Sequence, residues 1–323
     1  MEYNSLGRSG LQVSKLCLGT MNLGKIADEK TSYAILDAAI ESGINFIDTA
    51  DVYGGLDNRG RTEEFIGKWM SQGGGRREKL VLATKVYGKM AEGVNDRGLS
   101  AFHIRSACEA SLLRLKTDHI DLYQMHHIDR KTPWDEIWQA MEQLVQAGKI
   151  IYNGSSNFAA WNIIEAQFTA RARNYTGLIS EQSLYNLTNR MIELEVIPAC
   201  RKYGVGIIPW SPLAEGLLAG ILNDTAGVRK KTEAVQKNLN THRKQVEKFE
   251  NFCKSIDKKP EIIAIAWLLK NPAISSVIIG PRNVVQIHSI VDALQTVLGD
   301  DEINTIESIW PGPGGEAPEA YAW

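Results

Sequence analysis

Short apolar runs alternate with longer amphipathic segments along nearly the whole chain. That alternation constrains the fold more than any other feature. The runs are "LCLGT", "NFIDTA", "LVLATKV", "IDLYQMH", "IYNGSSN", "LISEQS", "VGIIPWS" and "SVIIG". Between most of them lies a segment with apolar residues at helical spacing. In "TSYAILDAAIESG", Ala34, Ile35, Ala38 and Ala39 share one face, and Gly43 supplies a stop. "SAFHIRSACEASLLRLK" opens on a Ser100 cap and turns Ile104, Ala107, Ala110, Leu112 and Leu115 toward a core. "TPWDEIWQAMEQLVQAGK" has Pro133 in its first turn and Gly148 at its end. Strand-then-helix units in this number predict an α/β fold, a closed parallel (β/α)8 TIM barrel. The competing open, doubly wound sheet would carry G-x-G-x-x-G after a strand. None of the 28 glycines falls into that spacing.

Two further pieces flank the repeat. "YNSLGRSGLQVSKL" reads as an N-terminal β-hairpin around Gly7 to Gly10. Residues 213–241 read as a long polar loop after the seventh strand, carrying Arg229, Lys230, Lys231 and Lys237. The 323 residues are expected to form one barrel domain, with 311–323 as a Pro/Gly-rich tail. Pro311 and Pro313 exclude a helix at the start of that tail, and its Tyr321 and Trp323 suggest a docking role.

The formal charge of −2 provides no basic field for nucleic acid. No uninterrupted apolar run approaches the roughly 20 residues of a membrane span. "MEYNSLGRSG" has no apolar signal core. Cys17, Cys108, Cys200 and Cys253 form no CxxC pair, as expected of free thiols in a reducing cytoplasm. A cytoplasmic protein is expected, and its oligomeric state is left open.

In a parallel barrel the reactive groups stand at the C-terminal ends of the strands. The second strand ends in Asp48, with Tyr53 in the loop beyond. The third carries Lys85, and the fourth ends in His126. A free tyrosine, with a pKa near 10, gives up its proton reluctantly at neutral pH. A nearby ammonium favours the phenolate, so Lys85 is expected to lower the pKa of Tyr53. Buried Lys85 needs a counter-ion, which Asp48 supplies. A neutral His126 can orient a carbonyl oxygen. Such a set makes a general acid aimed at a carbonyl becoming an alkoxide. Reduction also needs a hydride, which a nicotinamide cofactor would bring. No metal is expected: His126 and His127 are adjacent, and neighbours on a strand face opposite ways.

The blocks "NFIDTADVYG", "LATKVYG", "DLYQMHHID" and "GSSNF", in that order, resemble the aldo-keto reductase superfamily, most of all its bacterial branch. The likeness runs from the hairpin to the last barrel strand. It implies a (β/α)8 barrel that reduces carbonyls with NADPH, in which Tyr53 donates the proton and Asp48, Lys85 and His126 complete a tetrad.

The other strand ends suggest where a cofactor would lie. Ser156 and Asn157 after the fifth strand and Gln182 after the sixth have the donors and acceptors a carboxamide needs. Trp210 offers a flat face to a nicotinamide ring. The resemblance assigns these residues the same roles. It also implies cofactor contacts from Gly19, Thr20, Met21 and Asp48, and along the pyrophosphate from Ser211, Pro212, Leu213, Gly216 and Leu217. Gly280 and Arg282, just before a helix, suit a phosphate and favour NADPH over NADH. By resemblance Gln286 contacts the adenosine end. Ser289 and Ile290 stand where the family often has a Glu-Asn pair, which leaves NADH open as an alternative. The loop 213–241 either folds over the pyrophosphate or is a solvated connection.

Met21, Tyr87 and His127, with Tyr53 and His126, are expected to line an apolar-aromatic pocket for a small carbonyl compound. Members of the resembled branch act on sugars, keto-sugars, small aldehydes and xenobiotic ketones. Tyr321 and Trp323 would close over the site or pack on a partner subunit. Two rival functions remain. One is a cofactor-binding regulatory subunit of the channel β-subunit type, made less attractive by the lack of a segment before the hairpin. The other is an aldolase using Lys85 as a Schiff base.

Overall fold

The computed structural model describes residues 1–222 and 233–321. Strands β1 (Tyr3–Ser5) and β2 (Gln12–Ser14) pair antiparallel as the hairpin. The repeat then runs β3 (Leu16–Gly19), α1 (Glu29–Glu41), β4 (Phe46–Asp48), α2 (Arg61–Met70), β5 (Val81–Val86), α3 (Ala101–Leu115), β6 (Ile120–Met125) and α4 (Trp134–Gln146). It continues with β7 (Ile150–Ser156), α5 (Ala160–Ala172), β8 (Leu178–Gln182), α6 (Val196–Tyr203) and β9 (Gly206–Ile207). The last elements are α7 (Glu233–Ser255), α8 (Pro260–Lys270), β10 (Val277–Ile279), α9 (Val284–Val291) and α10 (Asp300–Ile309).

The eight strands from β3 to β10 are parallel and follow the order β10-β3-β4-β5-β6-β7-β8-β9. A parallel bridge between Ile207 and Ile274 and a hydrogen bond from the Ile278 amide to the Pro209 carbonyl (3.0 Å) join the two edges. The result is the (β/α)8 barrel expected from the alternation. β9 is shorter than "VGIIPWS" suggests. Pro209 lacks an amide to donate to a neighbouring strand, and pairing resumes beyond it only as an isolated Leu184–Trp210 bridge.

Helix signals act where the sequence places them. Ser100 caps α3 by accepting from the His103 amide (3.2 Å), and Gly43 and Gly148 follow α1 and α4 in the left-handed region. The long loop expected over 213–241 is corrected. Residues 214–216 form a short 3-10 turn, and the span from Glu233 belongs to α7. Its polar surface disguised it: Val235, Leu239, Val246, Phe249 and Cys253 are buried at helical spacing among exposed Lys, Asn and Glu. Arg229, Lys230, Lys231 and Trp323 lie outside the described residues.

The barrel interior has two layers. Cys17, Phe46, Val81, Ala83, Leu122 and Ile278 fill one end together with Leu6 and Val13 of the hairpin, which stoppers that end. Gly7 makes the fit possible. It sits at φ +56°, and a Cβ there would come within 2.3 Å of the Ile179 carbonyl oxygen. With the N-terminal ends of the strands sealed by apolar contact, polar side chains gather at the C-terminal ends. Part of the tail is tied to the barrel. The Ala317 amide donates to the Leu194 carbonyl (3.0 Å) and Glu316 pairs with Arg201 (3.1 Å), while Tyr321 is exposed.

Candidate active site

Inward-facing residues of four strands meet above the apolar layer. Lys85, the third inward residue of β5 after Val81 and Ala83, is completely buried. Its ammonium lies 2.6 Å from Asp48 Oδ2, 2.9 Å from the Thr49 carbonyl and 3.3 Å from the Tyr53 hydroxyl. The other oxygen of Asp48 accepts from Gln124 Nε2 and Gln182 Nε2, each at 2.9 Å. The buried ion pair therefore has its remaining hydrogen-bonding capacity filled, the condition under which such a pair is tolerated. His126 begins the loop after β6, and its ring meets the Tyr53 ring edge-on at 5.9 Å.

Gln124 was not among the residues expected at the site. It stands inside "IDLYQMH" rather than at its end, but it is a polar residue in an otherwise buried strand with its side chain turned to the same face as Leu122. That anomaly was available in the sequence.

The electrostatics correct one expectation. Tyr53 is not lowered. Burial pushes the phenol above its ordinary range; Lys85 pulls it down, and Asp48 and Asp51 push it up. Burial prevails because Asp48, in contact with the ammonium, cancels part of its field. Burial alone would lower Lys85, but Asp48 and Tyr53 raise it overall, so it stays cationic. His126 is driven down to about 2 by burial, then by Lys85 and His127, and is neutral at physiological pH.

The expected strand-face separation of His126 and His127 is also corrected. β6 ends at Met125, so alternation no longer applies, and the two rings stack at 5.2 Å with 8° between planes. Tyr87 touches His127 edge-on at 5.4 Å. Met21 and His127 are exposed at the rim and Tyr87 is half-buried. Among the described residues no group of three or more His, Cys, Asp and Glu converges as a metal site.

A second group adjoins the first. Asn157 takes a left-handed backbone (φ 61°) and donates from Nδ2 to Ser156 Oγ (3.0 Å) and to the His126 carbonyl (3.3 Å). Its Oδ1 accepts from Trp210 Nε1 (3.1 Å), and Ser156 Oγ donates to the Gln182 carbonyl (2.8 Å). Ser156, Asn157, Gln182 and Trp210 thus form one connected set. Ser211 follows, left-handed at φ 55°, with its carbonyl held by Asn186 Nδ2 (2.9 Å). Pro212 and Leu217 are buried, Leu213 is half-buried, and Gly216 sits at φ 102° with open space where a Cβ would be.

On the other side, Thr20 binds the Asp48 carbonyl through both its amide (3.0 Å) and its hydroxyl (2.9 Å). Gly19 pairs with Asp48 in the sheet. The Gly280 carbonyl accepts from Asn22 (3.0 Å). Arg282 and Gln286 form a separate group at the start of α9, where Gln286 Oε1 accepts from the Arg282 amide (2.7 Å). Lys259 Nζ lies 3.3 Å from Ser289 Oγ.

Among the described residues no helix is long and apolar enough to cross a membrane. The sequence profile of the Aldo/keto reductase family matches residues 15–311. An uncharacterized oxidoreductase of Bacillus subtilis, YrpG, is 52% identical over 330 residues, covering 100% of each chain. A probable voltage-gated potassium channel subunit beta of Oryza sativa subsp. japonica is 36% identical, over 96% of each. The versiconal hemiacetal acetate reductase of Aspergillus parasiticus is 34% identical, over 95% of this chain and 96% of its own. A barrel with this rim and a profile match over nearly its whole length make the chain a member of the aldo/keto reductase family, a family of oxidoreductases.

Proposed function

We propose that the chain reduces an aldehyde or ketone to an alcohol, with NADPH as hydride source and Tyr53 as proton donor. The observation that carries this reading is the Asp48–Lys85–Tyr53 line, at 2.6 and 3.3 Å, with a neutral His126 ring beside the phenol. Tyr53 holds its proton at neutral pH and releases it to the oxygen once negative charge develops there. Lys85 then faces a phenolate, whose charge it stabilises in a water-poor setting. His126, uncharged, orients the carbonyl oxygen without competing for the proton. Water can reprotonate Tyr53 at the rim.

The donors present fit a nicotinamide dinucleotide. Asn157, Ser156 and Gln182 supply the amide and hydroxyl groups a carboxamide needs, and Trp210 supplies a flat face beside them. The left-handed turn at Ser211 and the open Gly216 allow close approach of a pyrophosphate. Gly19, Thr20 and Met21 would border the same space. Arg282, at the N-terminus of α9, favours a 2′-phosphate, with Gln286 beside it. When bound, the nicotinamide supplies the hydride. Tyr87, His127 and Met21 would contact the carbonyl compound. One barrel domain spans residues 1–323 in this reading, and the four free, buried cysteines suit a reducing cytoplasm.

The deciding experiment is NADPH oxidation across aldehydes, keto-sugars and aromatic ketones, repeated with NADH. Steady turnover with one class supports the reading. Tight NADPH binding without turnover on any of them would favour a cofactor-binding regulatory role, to which the likeness to channel β-subunits points. The aldolase alternative is disfavoured because a Schiff base needs a neutral amine, and Lys85 is held as a cation by Asp48.

A further inference from the structure

Glu181 stands beside Gln182 on β8, where it pairs in register with Ser155 on β7. It is completely buried. A carboxylate in such a place costs several kcal/mol unless donors surround it. Here the donors are supplied by the ends of β7 and of β8 itself. Ser155 Oγ donates to Oε2, and Ser183 Oγ (2.8 Å) and the Phe158 amide (3.1 Å) donate to Oε1. The carboxylate, an acceptor at both oxygens, suits these three donors. Burial pushes its pKa up to about 7, against the pull of those hydrogen bonds.

Phe158 and Ser155 bracket Ser156 and Asn157. Asn157 is fixed from in front by its amide bond to the Gln182 carbonyl (3.0 Å) and from the side by Trp210. The anchor on Phe158 holds the chain just after Asn157 in its left-handed turn (φ 61°), a region that asparagine visits more readily than other residues with a Cβ but only as one of several backbone options. Ser183 also carries the Trp210 amide on its carbonyl (3.0 Å), so one carboxylate ties down both the Asn157 turn and the segment that presents Trp210.

We propose that Glu181 is a positioning residue for the nicotinamide site: from behind the sheet it holds Ser155, Phe158 and Ser183 so that Ser156, Asn157 and Trp210 keep one geometry. The inference rests on the cofactor reading above. It predicts that shape matters more than charge. Glu181→Asp keeps the charge but withdraws the carboxylate by one methylene. Glu181→Gln keeps the length and the acceptor facing Phe158.

The test is NADPH binding, followed by quenching of Trp fluorescence in the full chain, with cofactor KM and kcat measured in parallel and circular dichroism and melting temperature recorded for each variant. Glu181→Asp is expected to weaken NADPH binding about tenfold and to raise its KM alike, with kcat at saturating cofactor within about threefold. Glu181→Gln should stay within about threefold of the wild type in binding. Wild-type binding with both variants unchanged would overturn the inference and leave the cofactor reading standing. So would losses in both that merely follow their melting temperatures. A wild type that binds neither NADPH nor NADH would overturn the cofactor reading and, with it, this role for Glu181.

Discussion

The Lys85 ammonium lies 3.3 Å from the Tyr53 oxygen and 4.9 Å from the centre of the same ring. One cation thus faces both the group that loses a proton and the ring that shares the resulting charge. Tyr53→Phe keeps the ring and removes the proton. Binding of NADPH is expected within about threefold of wild type, and kcat for reduction about 10²–10⁴-fold lower. Binding by calorimetry and turnover by NADPH absorbance decide it; near-normal turnover would remove Tyr53 from the chemistry.

Lys85→Met should disable turnover and also weaken the fold. It strands Asp48 among buried groups, which costs about 3–5 kcal/mol when nothing else compensates. Gln124 and Gln182 still donate to Asp48, so the lower end of that range is expected. Adding Asp48→Asn should recover part of the stability and none of the activity. Urea titrations of the two single variants and the double variant check this through their coupling.

His126 sets a pH dependence with a definite sign. Its pKa is about 2 in the folded chain and near 6.5 when unfolded. Above pH ~6.5 both states are neutral there and the group has no effect. Below it the unfolded chain takes up a proton that the folded chain refuses, so stability is lost progressively as the pH falls toward about 2. Urea midpoints at about pH 7.5 and about pH 5 should fall further for wild type than for His126→Asn. Reductive kcat should likewise show no inflection near pH ~6.5 from His126, which is already neutral there.

Gly7→Ala probes the opposite end of the barrel. The new methyl would meet the Ile179 carbonyl at 2.3 Å and Gly204's at 2.7 Å, on a backbone at φ +56°. A loss of about 1–3 kcal/mol or more is expected, with kcat/KM at permissive temperature unchanged. Thermal melts alongside steady-state kinetics separate the two.

The fold was legible because each strand-helix unit repeats one pattern, and because Lys85 in an apolar strand has no comfortable reading other than a paired, buried cation. What escaped notice had local causes. α7 is dominated by Lys, Asn and Glu and bends at His242 (φ −110°), so its apolar stripe is interrupted. Gln124 and Glu181 lie next to the strand ends from which the site was read, one facing into the barrel and the other away from it. The raised pKa of Tyr53 could not be deduced from composition. It depends on how far Asp48 neutralises Lys85, which is a matter of ångströms.

The hairpin that closes the floor turns the barrel into a cup with one opening. If the dinucleotide rests deepest, the carbonyl compound must arrive after it, and the spent dinucleotide waits until the alcohol has gone. Gly7→Ala at the stopper is expected to be felt in stability alone, whereas Tyr53→Phe at the brim is expected to be felt in turnover.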